Sequence, residues 1–393
     1  MAATVLVILL PAAIVSIVYS GHWPGGARPG TIAGSTPVDA KLYRDPDLLA
    51  VAAAQQDSRF EPIAETPQAK WFSDWSTTAT VRSDIGDYLA GAAAADAVPT
   101  LVLYRVPRLD CGGGAQVYTG ARDEQEYREW IDGAAAALTG HSDAIVILEP
   151  DALPQLGQCE QGDRVGTLRY AVDTLSTTGA RVYIDAGHEN WLSAAETADR
   201  LKKLDVDKVT GFSLNVSNYN STDGEVRFAE TVRSELDRLG VPDAHYVIDI
   251  SRNGAGAQDN YCNAPGARLG DTPQLYHGGA LDGLLWVKNP GETDGTCGGG
   301  PILGFWPAAA LGLLGLLGPE SADSGDSPAW VTALSITAGV VAAAGLLGAV
   351  YFKGRRDGKT AVLIESAYRG PGTHRQAPVR ETGFRPPAPP ESF

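Results

Sequence analysis

Along the middle of the chain, hydrophobic residues gather in short unbroken runs, and longer stretches of helical, 3.6-residue periodicity separate one run from the next. The runs lie at 69–72, 101–106, 144–148, 180–184, 209–214, 246–250 and 283–287. A segment that is apolar on both faces fits a strand covered on both sides, and strands alternating with amphipathic helices build a parallel sheet. The pattern predicts an α/β fold, a parallel (β/α) barrel of about seven strands occupying residues 41–318. Helix limits are marked locally, as where the acidic stretch Asp123-Glu124-Gln125-Glu126 precedes a periodic segment that stops at Gly140.

Polar residues stand where the runs end. The clearest case is Ile145-Val146-Ile147-Leu148-Glu149-Pro150-Asp151, apolar until two carboxylates arrive together. The other runs lead to Tyr104 and Asp110, to Asp185 and His188, to Asn215 and Asn218, to Asp249 and Arg252, and to Lys288, Glu292 and Asp294. A lone Asp after a strand is more often a helix N-cap than a catalyst. A ring of polar groups on the C-terminal rim of a barrel is where that fold mounts an active site. Among them stand Trp71, Trp75, Trp191, Tyr219, Tyr261 and Trp286. Sugar rings lay apolar faces on aromatic rings and bond through hydroxyls to Asp, Asn, Lys and Arg, so the mixture points to carbohydrate. Trp286, inside a run, reads as core; Trp71 and Trp191 read as sugar platforms.

Composition narrows this picture. The 393 residues carry a net charge of −16, which argues against nucleic acid as a partner. The four cysteines, Cys111, Cys159, Cys262 and Cys297, have no zinc spacing, so two disulfides in an oxidising compartment are expected, with no metal and no cofactor. Residues 1–20 are uncharged and apolar, a signal peptide or signal anchor, and 21–40 read as a Gly/Pro/Ser/Thr linker. After an acidic spacer at 319–328, residues 329–352 carry no charge and are long enough to cross about 30 Å of hydrocarbon as a helix. Lys353, Arg355 and Arg356 follow, opening a basic, Pro-rich tail at 353–393. Positive-inside bias puts that tail in the cytoplasm and the barrel outside the cell, with the membrane as a partner through the C-terminal helix.

Six stretches, in order, resemble glycoside hydrolase family 6, the inverting cellulases. They are Val102-Leu103-Tyr104-Arg105-Val106-Pro107-Arg108-Leu109-Asp110-Cys111-Gly112, the 145–154 stretch, Tyr183 to Trp191, Asn215 to Tyr219, Asp249 to Gly254, and Trp286 to Gly295. The resemblance implies a distorted parallel β/α barrel, in agreement with the strand count. It also implies roles: Asp151 as general acid, Asp110 as the partner that raises that acid's pKa and helps relay a proton, Tyr104 as the residue crowding the sugar, and Asp294 as base or charge stabiliser. Trp71, Asp185, His188, Trp191, Asn215, Asn218, Tyr261, Lys288 and Glu292 are implied as substrate-binding residues. The implied bridges are Cys111–Cys159 and Cys262–Cys297.

Inversion needs a protonated carboxyl at the leaving oxygen and activation of water on the opposite face, about 6.5–9.5 Å away. The expected activity is hydrolysis of β-1,4-glucosidic bonds in cellulose or a related β-glucan. The cysteine-flanked loops are too short to roof the cleft, so internal cleavage is expected. The sequence departs from the family pattern twice. Leu109 replaces an Arg directly before Asp110, and the 113–120 loop keeps only Tyr118 and Thr119 as hydroxyls. These departures leave open an alternative, a cell-surface glucan-binding protein that has lost turnover.

Overall fold

A computed structural model describes residues 35–112, 119–159 and 162–317 of the protein. The segment 1–20, the spacer 319–328, the expected span 329–352 and the tail 353–393 lie outside these residues. No helix among the described residues is long and apolar enough to cross a membrane.

The elements run β1 (Thr36–Val38), α1 (Leu49–Gln56), α2 (Glu61–Ala64), β2 (Lys70–Phe72), α3 (Val81–Ala94), β3 (Thr100–Leu103), α4 (Glu124–Leu138), β4 (Ile145–Leu148), α5 (Arg164–Ser176), β5 (Arg181–Asp185), α6 (Ala194–Lys203), β6 (Gly211–Leu214), α7 (Thr222–Arg238), β7 (His245–Asp249), β8 (Gln274–His277), β9 (Leu281–Leu285) and α8 (Pro307–Leu313). Each of the seven apolar runs is a strand, and β2, β3, β4, β5, β6, β7 and β9 pair in parallel in that order. The acidic stretch does open α4, and Asp123 caps it, its side chain accepting from the Glu126 N–H at 2.8 Å.

The sheet nevertheless differs from a seven-stranded parallel barrel. It is mixed and has nine strands, because β8 runs antiparallel to β9 and β1 antiparallel to β8. Both extra strands are short and lie in polar or Pro-containing sequence, where no apolar run marks them. Pro37 is tolerated because β1 is an edge strand, whose outer N–H groups need no partner. The linker expected through residue 40 therefore gives way to sheet at Thr36. The sheet curls back on itself. Beyond the end of β9, the Trp286 carbonyl accepts from the Ala69 N–H at 2.9 Å, and the Asn289 amide donates to the Ala69 carbonyl at 3.0 Å, at the start of β2.

Strand pleating sorts the core into two layers. Leu101, Leu103, Val146, Leu148, Val182, Ile184, Phe212 and Ile248 face the helices. Val102, Ile145, Ile147, Tyr183, Val247 and Leu285 fill the inside of the curl. The same parity carries past the strand ends: Glu149, Asp185, Asn215 and Asp249 continue the inward-facing rows. The sequence pattern thus sets four polar side chains above the inner core, at the rim.

Candidate active site

Loops crossing the rim divide its polar residues into two levels. The lower level is fully buried and spent on backbone. Glu149, after β4, accepts from the Arg105 and Val106 N–H groups at 3.0 Å, holding the chain that leaves β3. Asp185, at the end of β5, accepts from the Asp151 N–H at 2.9 Å, the Gly187 N–H at 3.2 Å and the Ser213 hydroxyl at 3.2 Å. Asp249, at the end of β7, accepts from Ser217, Ser251, Val287 and Lys288 N–H groups at 2.9–3.1 Å. Each carboxylate gathers the loop of a neighbouring strand. Asn215 does the same with its amide, donating to the Asp249 and Asn220 carbonyls and accepting from the Asn220 N–H.

Two residues expected to bind substrate, Asp185 and Asn215, are 1% and 0% exposed and support the rim from beneath. Their inward parity and strand-end position matched a cleft residue, but a buried carboxylate or amide must be satisfied, and here the loops satisfy it. Burial pushes both Glu149 and Asp185 up to about 7, against the lowering effect of their N–H donors, and raises Asp249 as well. The backbone at this level is held in the left-handed region at Glu149, Asp151, Asn215 and Ser217 (φ +48°, +69°, +65° and +60°). Such non-glycine strain persists only where the surroundings over-determine it, and it concentrates at functional sites.

The upper level is half-buried and faces outward: Trp71, Tyr104, Asp151, His188, Trp191, Asn218, Lys288, Glu292 and Asp294. Trp71 meets Tyr104 edge-on at 5.5 Å between ring centres, and its indole N–H donates to the Val287 carbonyl at 2.8 Å. The Asp151 loop is pinned from behind by Arg200, which donates to the Leu153 and Pro154 carbonyls. Gly187 lets the β5 loop approach it closely, since a Cβ there would lie 2.8 Å from Pro154 and 3.1 Å from Trp191, at φ +77°. Burial lowers the His188 imidazole to about 4, so at neutral pH it is an uncharged hydrogen-bonding group beside Trp191, 5.5 Å away. Asn218 donates to the Val216 carbonyl at 3.0 Å.

Asp294 stands in a different field. Its carboxylate meets Arg252 Nη1 at 2.7 Å, Lys288 Nζ at 3.0 Å and the Asn263 N–H at 2.8 Å. Burial pushes the carboxyl up, but the two cations and their hydrogen bonds outweigh it and hold it well below the usual range. Arg252 is buried, stacks 4.6 Å from the Tyr219 ring centre and donates a second bond to the Ser217 carbonyl. Glu292 is raised by burial, which Lys288 partly offsets.

Tyr261 is 75% exposed beside the Cys262–Cys297 bridge, and Trp286 is core as expected. Both expected disulfides are present, with Cα–Cα separations of 5.6 Å for Cys111–Cys159 and 6.1 Å for Cys262–Cys297. Asp110 falls in the 3-10 turn Leu109–Gly112, and residues 113–118 lie outside the described ones. Leu109, where the family pattern has Arg, is buried; Arg164 donates to the Pro107 and Arg108 carbonyls just before it at 2.8 and 3.1 Å. The Thr119 hydroxyl is bonded to Asp74 at 3.2 Å. Sequence reasoning missed Asn263 and the supporting work of Glu149, Asp249 and Arg252. Arg252 had a signal, standing in a quoted motif at a strand end; Asn263 had none beyond adjacency to Cys262.

The C-terminal rim of this curled, mainly parallel sheet thus carries carboxyls in unlike settings beside half-buried indoles, the arrangement of an α/β half-barrel. The protein belongs to glycosyl hydrolases family 6, whose family model matches residues 37–301. It is 44% identical over 272 residues to endoglucanase A of Cellulomonas fimi, covering 67% of this chain and 58% of that protein. It is 37% identical to endoglucanase A of Thermobispora bispora, covering 69% and 62%. The chain thus spans about three-fifths of the length of these curated relatives. Among solved structures, the endoglucanase Cel6 of Mycobacterium tuberculosis, in complex with a methyl thio-cellobiosyl cellobioside, is 40% identical with a TM-score of 0.65, covering 70% of this chain and 97% of that one.

Proposed function

We propose that the protein hydrolyses β-1,4-glucosidic bonds in cellulose or a related β-glucan, with inversion at the anomeric carbon. The observation that carries this is the half-buried Asp151, held in left-handed backbone at the end of β4 with its N–H fixed on the Asp185 carboxyl. A general acid must be placed to within a fraction of an ångström of its target. The endoglucanase names of the relatives at 44% and 37% identity support the same substrate.

In this reading Asp151 gives its proton to the glycosidic oxygen as the C1–O bond breaks. A water adds to C1 from the opposite face, and its proton leaves by the relay assigned to Asp110. Asp294, held far below the usual carboxylate range by Arg252 and Lys288, is a poor base. Its fixed negative charge instead stabilises the positive charge that develops on the sugar. Trp71 and Trp191 offer faces to sugar rings; Asn218, His188, Lys288 and Glu292 offer hydrogen bonds.

Internal cleavage fits the chain between Cys262 and Cys297, because part of it is spent on β8 and β9 within the sheet and is not free to form a roof. The two bridges support an oxidising location, outside the cell.

Reducing-sugar release from carboxymethylcellulose or barley β-glucan, against heat-killed protein, tests the activity. Proton NMR of fresh product should show the α-anomer first, and viscosity should fall steeply before many reducing ends appear. Tight glucan binding without release would instead favour the binding protein that Leu109 and the hydroxyl-poor loop leave open.

A further inference from the structure

We infer that Asn263 is a positioning residue that sets the Asp294 carboxylate, an inference that rests on the reading of Asp294 as charge stabiliser. The two residues close a reciprocal pair: the Asn263 N–H donates to Asp294 Oδ2 at 2.8 Å, and the Asp294 N–H donates to Asn263 Oδ1 at 2.8 Å. The other end of the amide is also spent on the same loop. Nδ2 donates to the Gly295 and Cys297 carbonyls, both at 2.8 Å. One side chain thus fixes the backbone at and after Asp294.

The local backbone is bent to allow this. Asn263 sits at φ +48°, a left-handed conformation that Asn tolerates better than other residues with a Cβ. The adjacent Cys262–Cys297 bridge ties the same two segments together covalently, but its sulfurs do not set the direction of a carboxylate. The cations cannot do so alone either. Lys288 is a flexible arm, and Arg252 reaches Asp294 through one Nη while the other bonds Ser217. The Asn263 amide supplies directional bonds, which a charge pair lacks, and through the Asp294 N–H and the loop carbonyls it fixes the backbone from which the carboxylate projects.

Asn263→Gly separates the two things Asn does there, since Gly keeps the left-handed backbone without strain and loses the amide. Turnover of a soluble cello-oligosaccharide should fall about tenfold or more, because small misplacement of a reacting group costs rate steeply, while KM stays within about twofold. Asn263→Ala should lose the same factor in kcat and melt lower, its extra loss measuring strain. In an Asp294→Asn background, Asn263→Gly should cost no further rate, since the two act as one unit.

Multiplying losses in the double variant would make Asn263 a purely structural residue and overturn the inference. So would a wild-type kcat for Asn263→Gly while Asp294→Asn is slow, or failure of Asn263→Gly to fold. If Asp294→Asn itself turns over at the wild-type rate, the reading of Asp294 falls first and the inference falls with it.

Discussion

The rim treats carboxyl groups in two opposite ways. On the side built from β4, β5 and the start of α7, Glu149 and Asp185 are surrounded by backbone N–H groups, and burial raises both to about 7. Glu225, in the first turn of α7, accepts from the Glu189 N–H at 3.1 Å and is pushed up to about 8 by burial, with the Glu189 and Asp185 carboxylates adding to the shift. Past the end of β9, Asp294 is also buried, yet Arg252 and Lys288 drive it the other way. The difference teaches that burial alone does not decide the charge of a carboxyl here; a cation within 3.0 Å does. The buried carboxyls beneath the rim favour the protonated form, and Asp294 favours the charged one.

The largest effect is expected from removing the proposed acid, Asp151. Asp151→Asn keeps the shape of the side chain and its backbone bond to Asp185 but has no proton to give. Turnover should fall by about 10²–10⁴-fold with glucan affinity nearly unchanged, both measured on one preparation. Retention of more than about a tenth of the rate would take Asp151 out of the acid role.

Next in size is the opposite side. Arg252→Ala leaves Asp294 buried with Lys288 as its remaining cation, and breaking a buried pair costs about 3–5 kcal/mol. Urea unfolding should register that loss. Arg252→Lys should recover only part of it, since an ammonium cannot serve Asp294 and the Ser217 carbonyl with one planar fork. If Arg252→Ala is as stable as wild type, the clamp does not hold Asp294 in solution.

The smallest effect sharpens the proton-keeping side. Glu225 is raised from about 4.5 to about 8, so between those values the folded protein keeps a proton that the unfolded chain releases. Its contribution to stability is full below pH about 4.5 and is lost as the pH rises through about 8. Glu225→Gln mimics the protonated form and does not titrate. The melting temperature of the wild type, followed from pH 5 to 9, should decline relative to this variant. Superimposable profiles would show that Glu225 titrates like an exposed carboxyl.

Much of the architecture could be read from the chain before any fold was known. An unbroken apolar run flanked by helical periodicity has few other uses than a strand in a covered parallel sheet, so all seven such runs are strands. Strands β1 and β8 were invisible because they are short and carry polar residues or Pro, with no apolar run to mark them. The cysteine pairs and the six motifs pointed to the family, and the family model agrees.

At the rim the sequence determined which residue types stand at the strand ends and, through the period of two, which of them face inward. It could not say which of those lie open to a ligand. Asp185 ends β5 and Asp151 stands three positions past β4; Asp151 is half-buried at the surface while Asp185 is 1% exposed beneath it. That choice belongs to the loops, which cross from neighbouring strands and bring N–H groups to the buried carboxylates. The electrostatic division is tertiary for the same reason. Asp294 meets Arg252, 42 positions away in sequence, and Asn263, 31 positions away, and no local pattern records such a meeting. Sequence fixes composition and pleat, which are local; exposure and charge state depend on distances through space, and the folded chain alone sets those.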